Sequence, residues 1–237
     1  MNNIWYFGDS YTHGVGCRPG DEYYEKHPPK DNDRLWVDIV SDELNLNQER
    51  NPRYGMGANP YILSLFINHI PKMMDNDIVV ISDSNPDGVL SYDKNKNKVG
   101  SVNSGTFWDQ KFDKYFDGDN YYQHKQTTWH DYLEWSNDPN KMVIVDYSKE
   151  HFAPYRDQWA EWYFNQVWSI SKELIKRNVK VYFWSYKQWF SDNSPYQLIV
   201  DHDIEIKDGH FSWLGHRQFS KFIINKIKNT KSLGEHQ

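Results

Sequence analysis

The sequence predicts an α/β fold, a parallel sheet covered by helices on both faces, in a single domain spanning residues 1–237. Three observations carry this prediction. Short apolar or aromatic runs alternate with longer segments whose apolar residues recur at helical spacing. Strands separated by helices need crossovers, and right-handed crossovers bury a parallel sheet on both faces. Glycines and small polar residues cluster where successive strands should end, the edge at which open α/β sheets bind ligands.

The first run, Asn3-Ile4-Trp5-Tyr6-Phe7, is β-branched and aromatic and reads as a buried strand. Leu35, Trp36, Ile39, Val40 and Leu44 form the apolar stripe of a helix over Asp33 to Leu46. Glu49 to Tyr54 reads as a weaker strand, interrupted by Pro52. Asn59-Pro60 starts a helix, with Asn as N-cap and Pro at the first helical position, and the helix stops near Pro71. Asp77 to Ile81 is the clearest buried strand. Residues 86–154 lose periodicity and are rich in Asp, Asn, Lys, Tyr and Trp; they read as an aromatic-rich insertion or lid, with Lys141 to Val145 a candidate strand. Tyr155 to Arg177 is a long helix with Asn178 as a left-handed stop, and Val179 to Trp184 is a further buried strand. Ser212 caps the last helix, which carries Leu214, Phe219, Phe222, Ile223 and Ile227. The tail, 230–237, is polar and expected to fray.

Composition narrows the function. The net charge is −6 with both signs interspersed, so no basic patch points to nucleic acid. Met1-Asn2-Asn3 leads straight into the first strand without a basic or apolar leader, and no run reaches membrane-spanning length, so neither a signal peptide nor a membrane partner is expected. The single cysteine, Cys17, excludes an internal disulfide and has no activating histidine beside it in sequence, so it reads as a small filler residue. No His/Cys cluster has metal-ligand spacing and no glycine-rich loop precedes a helix, so no metal, nucleotide or other cofactor is expected.

Four strand-end turns hold the chemistry. Gly8-Asp9-Ser10 offers a hydroxyl at the mouth of the first turn. His210, in Asp208-Gly209-His210, is a candidate base, since an imidazole accepts a proton near neutral pH. Asp208 is the nearest acid that could orient it. An oxyanion needs preorganised donors: the Ser10 N–H, the Gly57 N–H in Gly55-Met56-Gly57-Ala58-Asn59, and the Asn85 amide in Asp83-Ser84-Asn85-Pro86-Asp87. His216 reads as a helix-packing residue. Asp83 and Asp87 read as turn residues, and Asn85 could equally serve an Asx turn before Pro86.

In this order the turns resemble the blocks of the GDSL-type, or SGNH, hydrolases: serine first, then glycine, then asparagine, then histidine. Gly215-His216, opening the last helix, is similar too. The resemblance spans nearly the whole chain. It implies a flavodoxin-like three-layer sandwich and ester hydrolysis through an acyl-serine intermediate, with Ser10, Gly57, Asn85 and His210 in the four family roles. The sequence departs from the pattern in three places. Asp83 and Pro86 flank the third block, and the second block's glycine could be Gly55 or Gly57, with Ala58 where serine is common. The last block has Asp-x-His, with Lys207 where the family's acid usually stands. The orienting acid is therefore Asp208, Asp201 or Asp203, or a backbone carbonyl takes its place. The aromatic insertion and polar surface favour a small acyl ester, such as acetyl, on a polar or carbohydrate carrier. An acyltransferase would use the same residues. A non-catalytic carbohydrate-binding or structural module, or a ligand-binding domain of the same fold, are the rival readings.

Overall fold

The computed structural model describes residues 2–50, 59–84, 88–93, 98–103, 111–112, 124–125, 141–143, 156–185, 197–199, 204–207 and 210–233. Its main sheet holds β1 (Asn3–Phe7), β2 (Asn47–Arg50), β3 (Ile78–Ser82), β9 (Lys180–Ser185) and the short β10 (Gln197–Ile199). All neighbours run parallel, in the order β2-β1-β3-β9-β10. Numbered along the chain within this sheet, that is 2-1-3-4-5. The order reverses between β1 and β3, and a sheet of this kind opens its ligand crevice at that switch point, beyond the carboxyl ends of the strands.

The helices are α1 (Ser10–His13), α2 (Glu22–Lys26), α3 (Trp36–Glu43), α4 (Asn59–His69), α5 (Arg156–Ile175) and α6 (Trp213–Asn229). Alternation along the strands sorts their side chains onto two faces. Trp5, Phe7, Val79, Ile81, Val181 and Phe183 pack on one face against Ile62 and Phe66 of α4 and Tyr163 and Val167 of α5. Ile4, Tyr6, Val80 and Trp184 pack on the other against Trp36, Val37 and Val40 of α3 and Phe219 and Ile223 of α6. These are the two helix layers that strand–helix alternation predicts. Each such side chain, fully buried, contributes about 1.5–3 kcal/mol. Edge-to-face contacts add to this on the second face: Trp36 meets Tyr6 at 5.1 Å and Phe219 at 4.8 Å.

Local differences from the sequence reading have physical causes. α3 starts at Trp36 rather than Asp33, because Leu35 is still extended. Asn45 then takes the left-handed conformation (φ 52°), so β2 begins already at Asn47. Asp77 does not belong to β3. Its buried carboxylate collects the Asn3 N–H, the Trp5 indole N–H and the Met74 N–H, which locks the start of β1 to the turn before β3. Asn178 is left-handed (φ 57°) as expected, and α4 passes after His69 into a single 3₁₀ turn, Ile70–Lys72, that contains Pro71. Within 86–154, strands β4 (Gly88–Asp93), β5 (Lys98–Asn103) and β8 (Lys141–Val143) form an antiparallel sheet, and β6 (Lys111–Phe112) pairs with β7 (His124–Lys125). The expected fraying after Thr230 does not hold up to Leu233. Leu233 is buried, and its N–H donates to the Val181 carbonyl at 2.6 Å, on the stretch of β9 that the short β10 leaves unpaired. Among the described residues, no helix is long and apolar enough to cross a membrane.

Candidate active site

β1 ends in Gly8, and the chain turns at once into α1. A Cβ on Gly8 would lie 2.1 Å from Thr12 Oγ1 and 2.5 Å from Ser82 Oγ, so only glycine lets β1 run this close to both α1 and β3. Asp9 is the N-cap of α1: its Oδ1 accepts the Tyr11 N–H at 3.1 Å. Its carbonyl accepts the Thr12 and His13 N–H groups. Gly14 closes the helix in the left-handed conformation (φ 71°). Ser10 is therefore the first residue of a capped turn at the switch point, and its side chain is half-buried. As the first helical residue, its N–H has no acceptor within α1.

His210 comes to this turn from the far end of the chain. It lies on β12 (His210–Phe211), which pairs antiparallel with β11 (Ile206–Lys207), so that Lys207 stands opposite His210. The His210 ring lies 5.6 Å from the ring of Tyr11, the residue after Ser10. A Cβ on Gly16 would meet His210 Cβ at 3.2 Å, so the loop after α1 also rests on the histidine. Three further contacts hold the arrangement. The Trp36 indole donates to the Tyr11 carbonyl at 3.0 Å, the Cys17 thiol donates to the Phe211 carbonyl at 3.3 Å, and the Tyr11 and Phe211 rings meet at 4.8 Å. Ser10 Oγ makes no hydrogen bond to a described residue. Gly57, Asn85 and Asp208, with Asp201 and Asp203, lie outside the described residues.

The last helix is seated by the Gly215-His216 pair. The Ser212 hydroxyl accepts the Gly215 N–H at 3.1 Å and is hydrogen-bonded to the Glu205 carboxylate. A Cβ on Gly215 would come within 2.1 Å of the Glu205 carbonyl oxygen. His216 is fully buried, and its Nδ1 accepts the Trp36 N–H at 3.3 Å. Burial, with a smaller contribution from His210, lowers its pKa from 6.5 to about 3, so it is a neutral packing residue at working pH. Burial, together with the charges of Asp21 and Asp33, pushes the Cys17 thiol up to about 12, which leaves it unreactive.

Three polar residues that the sequence reading gave no part in the site bind its turns together. The Asn59 side-chain oxygen, at the start of α4, accepts the Ser84 N–H at 2.5 Å. The Ser84 side chain in turn lies near enough to the Asp9 carboxyl to lower its pKa. Beneath them, buried Asp83 accepts the Ser185 hydroxyl at 2.9 Å, and the Tyr163 hydroxyl donates to the Ser82 carbonyl at 2.8 Å. Burial and then the negative charges of Asp83 and Asp9 hold the Tyr163 phenol well above its usual range. The signal available in sequence was the placement of Asp9, Asn59 and Ser84 in three of the four strand-end turns.

Asp9 itself is pushed from 3.8 to about 6 by burial, which its contacts with Tyr11 and Ser84 only partly offset. An acid whose folded pKa is raised favours the fold when protonated, so this contribution is present below about pH 4 and is lost as pH rises through 6. Asp9→Asn keeps a capping oxygen and removes the charge. It should stabilise the protein at pH 7–8 by roughly 1–3 kcal/mol, a gain that vanishes near pH 4. Urea midpoints of the two proteins at both pH values check this; an equal midpoint difference at both would show that the charge is not the cause.

No family model, curated protein or solved structure matches this chain.

Proposed function

We propose that the chain is a serine esterase of the SGNH type, with the flavodoxin-like three-layer sandwich that this implies. The observation that carries the reading is the meeting of the Ser10 turn with the His210 hairpin, where the Tyr11 and His210 rings lie 5.6 Å apart. A capped turn that carries a hydroxyl at the sheet's switch point packs, through Tyr11, against the imidazole of the hairpin that precedes the last helix.

In this reading Ser10 Oγ attacks the ester carbonyl carbon as its proton passes to neutral His210. The carbonyl oxygen takes the electron pair and is held by the Ser10 N–H, the Gly57 N–H and the Asn85 amide. The tetrahedral intermediate collapses, and the imidazolium returns the proton to the departing alcohol. Water then repeats the sequence on the acyl-serine, which releases the acid and regenerates Ser10. Asp208, or else Asp201, Asp203 or a backbone carbonyl, orients the imidazole. The substrate class is a small acyl ester, such as acetyl, on a polar or carbohydrate carrier, and the same residues would also serve transfer of the acyl group to another alcohol.

The test is hydrolysis of p-nitrophenyl acetate against pH. Only neutral imidazole accepts the serine proton, so kcat/KM should rise with pH through the ordinary imidazole range, about 6.5, and then level off. Because Asp9 titrates close by, the profile is repeated in Asp9→Asn; a limb that persists there belongs to the histidine. Absence of turnover, or a flat profile, would contradict the proposal.

A further inference from the structure

We infer that Asn59 is a positioning residue for Ser10, acting through Ser84 and Asp9; this rests on the hydrolase reading above. At the start of a helix, the ordinary role for Asn is to cap that helix. Here the Asn59 side-chain oxygen reaches across 25 residues of chain to the Ser84 N–H, at 2.5 Å. Ser84 passes the constraint on, since its side chain lies near enough to the Asp9 carboxyl to lower that group's pKa. Asp9 directly precedes Ser10, and it accepts the N–H groups of Tyr11, Thr12 and His13, just past the serine. The peptide on each side of the nucleophile is thus held by one relay that begins at Asn59. Asn59 is 2 % exposed, and its Nδ2 is buried with no hydrogen-bond partner among the described residues. An apolar residue would avoid that unsatisfied amide, so the asparagine is held at a local cost, as residues at functional sites often are. Asn59 touches neither Ser10 nor a reacting atom in this scheme; its effect is on the geometry of attack.

A displacement of about 1 Å at a reacting group lowers rate by on the order of a hundred-fold. Asn59→Ala should therefore lower kcat on p-nitrophenyl acetate by roughly 10- to 100-fold, with KM within about two-fold of wild type. Ser84→Ala cuts the same relay further along. If the two act in series, the double variant loses about as much kcat as the worse single variant, rather than the product of the two losses. Asn59→Asp keeps an oxygen acceptor for the Ser84 N–H and should recover at least several-fold of the lost kcat; it also carries the test if Asn59→Ala fails to fold. A rise in KM alone, multiplicative losses in the double variant, or Asn59→Asp no better than Asn59→Ala would each overturn the inference. A wild-type protein without turnover refutes the hydrolase reading, and this inference with it. An active wild type with unaffected Asn59 variants refutes the inference alone.

Discussion

Ser10→Ala is expected to lower ester turnover by roughly four orders of magnitude or more and to leave the fold intact. The size follows from the role. Without a nucleophile the acyl-enzyme route is closed, and only oxyanion stabilisation and binding remain to assist direct attack by water. The fold should survive because the Ser10 side chain makes no hydrogen bond to a described residue, while the cap of α1 comes from Asp9, which the substitution leaves in place. Turnover of p-nitrophenyl acetate checks the first part, and circular dichroism with a urea melt checks the second. Wild-type-like turnover in a folded variant would remove Ser10 from the mechanism.

The largest expected effect on stability belongs to His216. Its folded pKa is lowered to about 3, against 6.5 in the unfolded chain. A base with a depressed pKa stays neutral in the fold while the unfolded chain takes up a proton. Its contribution is therefore complete above about pH 6.5 and is lost progressively as pH falls toward 3. Converted at about 1.4 kcal/mol per unit, the loss approaches roughly 4–5 kcal/mol as an upper bound. Asp9 works in the opposite direction over part of the same range, so the quantity to measure is the difference between wild type and a variant lacking only the histidine. His216→Asn retains an acceptor that can take the Trp36 N–H. Urea midpoints from pH 7 down to pH 4 should show wild type losing its advantage over His216→Asn as the solution is acidified. A constant difference across that range would mean that His216 is not held neutral by its surroundings.

The fold was legible because its signals are local. The near-continuous apolar runs of Asn3–Phe7, Ile78–Ser82 and Lys180–Ser185 are a direct consequence of burial on both faces, and the stripes of α3, α4, α5 and α6 follow from burial on one. Boundaries were less legible where a single residue decides them, as left-handed Asn45 does for β2. β10, the β11–β12 pair and the anchoring of Leu233 carry almost no pattern. Two or three residues cannot show periodicity, and a backbone bond such as that from Leu233 to Val181 leaves no mark in side-chain identity. At the site, the sequence pointed to Ser10 and His210 as partners, and β12 brings the histidine alongside the serine turn. The relay through Asn59, Ser84 and Asp9 was not legible, because each of these residues has an ordinary local role in a cap or turn, and only tertiary structure shows where its second contact lies.

The most direct measurement is covalent labelling with a fluorophosphonate followed by peptide mass spectrometry. Such a probe needs a hydroxyl made nucleophilic by a neighbouring base, whatever acyl group the natural substrate carries. The account predicts one adduct, on the peptide containing Ser10, forming at neutral pH and lost in His210→Ala. No adduct, an adduct on another serine, or undiminished labelling of Ser10 in His210→Ala would contradict it.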